Sequence, residues 1–71
     1  MGCAIRNRIR ELRAAHGEMT QQALADRIGV TRQTVNAIEL GKYSPTLEMA
    51  FRIAAVFGAS IDEVFQFDGT V

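Results

Sequence analysis

Arg32, Gln33 and Asn36 stand one and three positions apart, and in that spacing the sequence holds its most specific chemistry. On a helix advancing about 100° per residue they share an arc of about 140° with Ala37 and Leu40, while Thr34, Val35 and Ile38 fall on the opposite side. One face can pack and the other stays free. A guanidinium can fork onto guanine O6 and N7, and a glutamine or asparagine amide can pair with adenine N6 and N7, so the free face has the donor and acceptor geometry of base-pair edges. Unpaired N–H groups at the start of such a helix would also favour a phosphate. A solvated face of an ordinary amphipathic helix is the plainer reading of the same residues.

Nothing else in the chain groups into reactive chemistry. Cys3 is the single cysteine, so an internal disulfide is excluded, and His16 is its one conceivable partner, with no third group to orient either. Cys3 reads as incidental and His16 as a favourable charge at a helix C-terminus. No paired carboxylates, triad or metal-ligand spacing is present, so the expectation is a non-enzyme with no metal, cofactor or evident small-molecule ligand.

The elements that must position the three side chains are short helices. Apolar residues recur at three- and four-residue spacing, and Gly, Ser and Thr fall where the runs stop. The first helix is expected from Ala4 to Ala15, with Ile5, Ile9 and Leu12 inward and Arg6, Arg10 and Arg13 outward. Thr20 caps a second, Gln21 to Ile28, and Thr31 caps a third, Arg32 to Leu40. Gly29 makes the sharp turn between them. Ala25 is small enough for close approach, and Val30, Val35 and Ile38 pin the third helix to the core, the spacing that a helix-turn-helix needs. Pro45 separates a fourth helix, Leu47 to Phe57, whose Leu47, Ala50, Ile53, Ala54 and Phe57 should face inward. Ser60-Ile61-Asp62-Glu63 is a capping box opening a fifth from Ile61 to about Phe65, and the alternating Phe65-Gln66-Phe67 suits a brief strand.

Seventy-one residues make one domain, 1–71, near the lower size limit for folding on hydrophobic packing alone. The longest mostly apolar stretch, Leu47 to Val64, is broken by Glu48, Arg52, Gly58 and Asp62, which argues against a membrane span. Four arginines lie between positions 6 and 13 with no apolar run behind them, so no secretory signal is read, and the expected location is the cytoplasm. Net charge is zero but polarised. Residues 1–42 carry seven Arg/Lys against four Asp/Glu, a net of +3, and residues 43–71 carry Arg52 against four acids, a net of −3.

The stretch TQQALADRIGVTRQTVNAIELGKYSPTLEMAFRIAAVFGASIDEVF, which begins at Thr20, resembles the Cro and phage-repressor type of helix-turn-helix regulator, the xenobiotic response element family. The resemblance extends over residues 5–67 and is nearest to short, stand-alone prokaryotic regulators. It implies an all-α, five-helix lambda-repressor-like fold with its helix-turn-helix at 21–40. It also implies that Arg32, Gln33 and Asn36 contact bases, and that Gln21, Thr31, Thr34, Lys42 and Tyr43 lie along backbone phosphates. An arginine late in the first helix and a glutamate late in the third form an ion pair in that family, and Arg13 and Glu39 match those places. The connection His16-Gly17-Glu18-Met19 is one residue longer than the family's usual loop.

The expectation is therefore a transcriptional regulator that binds double-stranded DNA, a homodimeric repressor reading a palindromic operator in the major groove. Residues 46–71, acidic and aromatic, are the expected dimerisation region, with Phe51, Phe65 and Phe67 at the interface because they exceed the needs of one small core. A protein-interaction module on the same fold, an antitoxin or an adaptor, is the alternative.

Overall fold

The computed structural model describes residues 4–69, so Cys3 lies outside the described residues. The elements run β1 (Ile5–Asn7), α1 (Ile9–Ala15), α2 (Gln21–Ile28), α3 (Arg32–Glu39), α4 (Leu47–Phe57), α5 (Ile61–Val64) and β2 (Phe65–Phe67). Four of the five helices begin on a hydroxyl residue. Thr20, Thr31 and Thr46 each accept a hydrogen bond from the backbone N–H three residues on, at 3.0, 3.2 and 3.2 Å. Ser60 and Glu63 form the reciprocal capping box of α5, in which Glu63 accepts from the Ser60 backbone N–H at 2.8 Å. A cap of this kind contributes about 1 kcal/mol by satisfying donors that helix geometry leaves orphaned.

The core forms where the apolar stripes of these helices meet. Leu24, Ala25 and Ile28 of α2 pack with Val35 and Ile38 of α3, with Ile53, Ala54 and Phe57 of α4, and with Ile9 and Val64. Ala25 is fully buried, and its lack of bulk lets α2 and α3 approach. Gly29 then turns the chain at φ 77°, a left-handed conformation that costs a residue with a Cβ more than it costs glycine. Both Gly29 N and Val30 N close onto the Ala25 carbonyl, at 2.9 and 3.0 Å, so the turn is fixed by backbone as well as by packing.

Three expectations need correction. Arg13, expected outward, turns in, with its side chain only 14% exposed. The first helix does not start at Ala4: residues 5–7 form β1, antiparallel to β2 with Ile5 opposite Phe67, Arg6 opposite Gln66 and Asn7 opposite Phe65. Asn7 explains the boundary, because its Oδ1 accepts from Ile9 N at 3.2 Å while its Nδ2 donates to the Ile38 carbonyl at 2.9 Å, ending the strand and starting the helix. Leu47 is not inward either. It is 70% exposed, at the edge of the buried stripe on the same flank of α4 as Phe51. Smaller shifts are that Leu40 caps α3 and that Phe65 opens β2.

Candidate nucleic-acid interface

Helix α3 buries Val35 and Ile38, and that anchoring decides what its other side can do. Arg32 and Gln33 are exposed, and among the described residues neither makes a side-chain hydrogen bond or an ion pair. Ala37 is half-buried and Leu40 exposed on the same arc. Thr31 and Thr34 lie at the helix start with their hydroxyl oxygens 3.0 Å apart, the Thr31 oxygen also accepting from Thr34 N. After the helix, Gly41 N and Lys42 N close onto the Ile38 and Ala37 carbonyls at 3.0 and 2.9 Å, which fixes the backbone and leaves the Lys42 side chain in solvent. Tyr43 is exposed and borders a shallow cleft with Ile5, Pro45 and Phe65.

Asn36 and Gln21 are placed differently from Arg32 and Gln33. Both are half-buried, and they touch: Gln21 Nε2 donates to Asn36 Oδ1 at 3.1 Å and to Glu39 Oε1 at 3.2 Å. Glu39 in turn accepts a two-point grip from Arg13, Nε to Oε2 at 2.7 Å and Nη2 to Oε1 at 3.0 Å. A third Arg13 nitrogen, Nη1, donates to the Met19 carbonyl at 2.7 Å. The side chains of this pair are 14% and 8% exposed, so water screens them little, and the forked geometry adds direction to the charge attraction. The long connection is thereby tied down, which lets Glu18 hold an uncommon positive φ of 53°. Arg13, Gln21, Asn36 and Glu39 line a cleft of about 400 Å³, which Arg10 also borders.

Neither Asn7 nor the link from Gln21 to Asn36 emerged from sequence reasoning. Asn7 sits 31 positions from the carbonyl it holds, and Gln21 15 positions from its amide partner, so helical periodicity carries no trace of either. The one usable signal for Asn7 is its type, a residue prone to cap, standing just before an apolar helical position.

Charge is partitioned along with these contacts. The ion pairs use Arg6 with Asp68, Arg13 with Glu39 and Arg52 with Glu48, leaving Arg8, Arg10, Arg27, Arg32 and Lys42 without an ion-pair partner among the described residues. All five belong to the basic stretch 1–42. The large apolar residues left in water are spread over both parts of the chain, Ile5 and Leu40 in the basic stretch and Leu47, Phe51 and Phe67 beyond it. Phe51 is 58% and Phe67 59% exposed, whereas Phe65 is half-buried and packs against the core. Ile5 lies across the sheet from Phe67 and extends that exposed apolar edge.

A family model described as helix-turn-helix matches residues 9–64. Among curated proteins, an uncharacterized HTH-type transcriptional regulator of Archaeoglobus fulgidus is 52% identical over 64 residues, covering 90% of both chains. Regulators described in the same words are 45% identical in Methanocaldococcus jannaschii, over 90% of this chain and 96% of that one, and 44% identical in Bacillus subtilis, over 86% and 91%. Among solved structures, a candidate DNA-binding protein from Bacteroides fragilis superposes with a TM-score of 0.75 at 22% identity, over 87% of this chain and 98% of that chain, a likeness of fold.

Proposed function

The chain belongs to the helix-turn-helix family of the Cro and phage-repressor type, and from that premise we propose that it is a cytoplasmic, homodimeric repressor that reads a palindromic operator in double-stranded DNA. One observation carries the reading: α3 is held by a buried aliphatic side while Arg32 and Gln33 stand exposed with no partner among the described residues. Laid in the major groove, that side puts Arg32, Gln33 and Asn36 against base edges, where each well-placed contact discriminates by about 1–3 kcal/mol.

Phosphates on either side set the register. Gln21 contributes through its backbone N–H at the start of α2, because both hydrogens of its amide nitrogen are already donated. Thr31, Thr34, Lys42 and Tyr43 follow the strand around the helix, and Arg10 adds a positive charge at the cleft beside it. A single copy meets too few bases for useful specificity. Two copies joined through Phe51, Phe67 and the exposed edge of Phe65 place two α3 helices about 34–36 Å apart, one turn of DNA. Joining through the region 46–71 also keeps the acidic part of the chain away from phosphate.

Selection of bound sequences from random duplex DNA tests this reading. The expected product is an inverted repeat with half-sites one helical turn apart. An unenriched pool would overturn it. A salt titration separates it from a protein-binding use of the same fold: phosphate contacts make log K fall steeply with log salt, and a protein interface responds weakly.

A further inference from the structure

The four side chains Arg13, Glu39, Gln21 and Asn36 are linked in sequence, and the order of the links has one chemical solution. Arg13 can only donate and the Glu39 carboxylate can only accept, so the end of Gln21 that faces Glu39 Oε1 at 3.2 Å must be its NH2 group. Reversing that amide would set two oxygens against each other. The same nitrogen faces Asn36 at 3.1 Å, and its second hydrogen needs an acceptor there, so Asn36 must present Oδ1 inward. Its Nδ2 has no acceptor among the described residues and belongs to a half-buried residue beside the exposed Arg32 and Gln33 on α3. Two amides whose orientation is ordinarily a free choice are thus set by one charged pair.

We infer that Gln21 is a positioning residue which, held by Arg13 and Glu39, makes Asn36 a donor-only reader of the base pair it meets, selecting guanine. The inference rests on the DNA-binding reading above and sharpens it. A free asparagine amide pairs with adenine by donating to N7 and accepting from N6, but here the oxygen is turned inward to Gln21 and away from the groove. Two hydrogens facing the groove instead suit an edge of acceptors: guanine O6 and N7 first, thymine O4 second. The amino groups of adenine and cytosine meet a donor with a donor. The adenine pairing expected of Asn36 from its residue type is therefore replaced by a guanine preference. Gln33, with no such partner, keeps both halves of its amide available.

The test takes the selected operator and substitutes each base pair in turn, for the native protein and for Asn36→Ala, Gln21→Ala and Gln22→Ala. The pair that Asn36 reads is the one whose preference Asn36→Ala abolishes. There the native protein should favour guanine over adenine by about tenfold, in line with one good bidentate contact. Gln21→Ala frees the Asn36 amide to turn, so that ratio should fall to less than half its native value while preferences at other pairs persist. Gln22→Ala, one position along on the exposed side of α2, should leave the ratio as it is. A ratio that keeps half or more of its value in Gln21→Ala, an adenine preference in the native protein, or an Asn36→Ala variant with unchanged preferences would each overturn the inference. Absence of any sequence preference in the native protein would instead remove the DNA-binding reading and the inference with it. Hydrogen exchange of the side-chain amides in the DNA-free protein is independent of any operator. The Gln21 Nε2 hydrogens should exchange more slowly than those of Asn36 Nδ2, and the reverse order would overturn the assignment.

Discussion

Helices α3 and α4 are built alike and left exposed in opposite ways. Each starts on a threonine cap and buries an apolar stripe. Beyond the stripe, α3 offers water an arginine and a glutamine, and α4 offers it Leu47 and Phe51, four positions apart on one flank. Packing accounts for neither remainder. A polar surplus with unpaired donors fits a hydrogen-bonding partner such as a base-pair edge, whereas an apolar surplus fits a surface that also excludes water. On the proposed reading, the exposed chemistry of these two helices assigns α3 to DNA and α4 to a second copy.

Four substitutions break or sharpen this contrast, and they differ in size. Arg13→Ala should have the largest effect, because it leaves the almost buried Glu39 carboxylate without its counter-charge and releases the Met19 carbonyl. Urea unfolding should register a loss of about 3–5 kcal/mol, and a loss under about 1 would mean that the pair does not anchor α3. Phe51→Glu should weaken self-association by about 2–3 kcal/mol, seen by sedimentation equilibrium, while the monomer keeps its helical circular dichroism. If operator specificity were lost at protein concentrations where the variant is still dimeric, α4 would belong to the DNA side and the contrast would fail. Gln33→Ala is expected to relax base preference by about 1–3 kcal/mol with the unfolding midpoint unchanged, and undiminished discrimination in a binding titration would count against its reading role.

The smallest effect concerns acid. The Ser60 backbone N–H and hydroxyl hold the Glu63 carboxyl below its usual range, and the Ser60 hydroxyl does the same for Asp62. A carboxyl lowered on folding adds stability that is complete above its unfolded value and disappears as pH falls through its folded value. Ser60→Ala should therefore lower the melting temperature slightly at neutral pH, and by progressively less as pH falls through the lowered titrations of these two carboxyls. A difference that grew toward acid would reverse the assigned direction.

Much of this architecture was legible because local signals agreed. Thr20, Gly29 and Thr31 bracket two runs of helical period, and Ser60 with Glu63 announces α5 without reference to anything distant. Strand β1 was not legible. Ile5, Ile9 and Leu12 have helical spacing, and the partner that pulls Ile5 out of the helix is Phe67, far along the chain. Leu47 was misplaced for a different reason: helical period puts it near the buried stripe of α4, but nothing in the first turn of that helix covers it. In the candidate interface, Arg32 and Gln33 could be named from the wheel alone. Half-burial of Asn36 depends on Gln21 leaning across from another helix, a geometry that only tertiary structure supplies.

The pairing of β1 with β2 continues past the strands, where Asp68 N donates to the Ala4 carbonyl at 2.7 Å and Arg6 meets Asp68. Residues 4 and 68 are neighbours in space, so the described chain is nearly a closed ring. A linker of a few residues would complete the circle, and the ring could then be reopened in the loop between α3 and α4 without cutting a helix. Such a permuted chain would carry its new ends beside Lys42 and Tyr43.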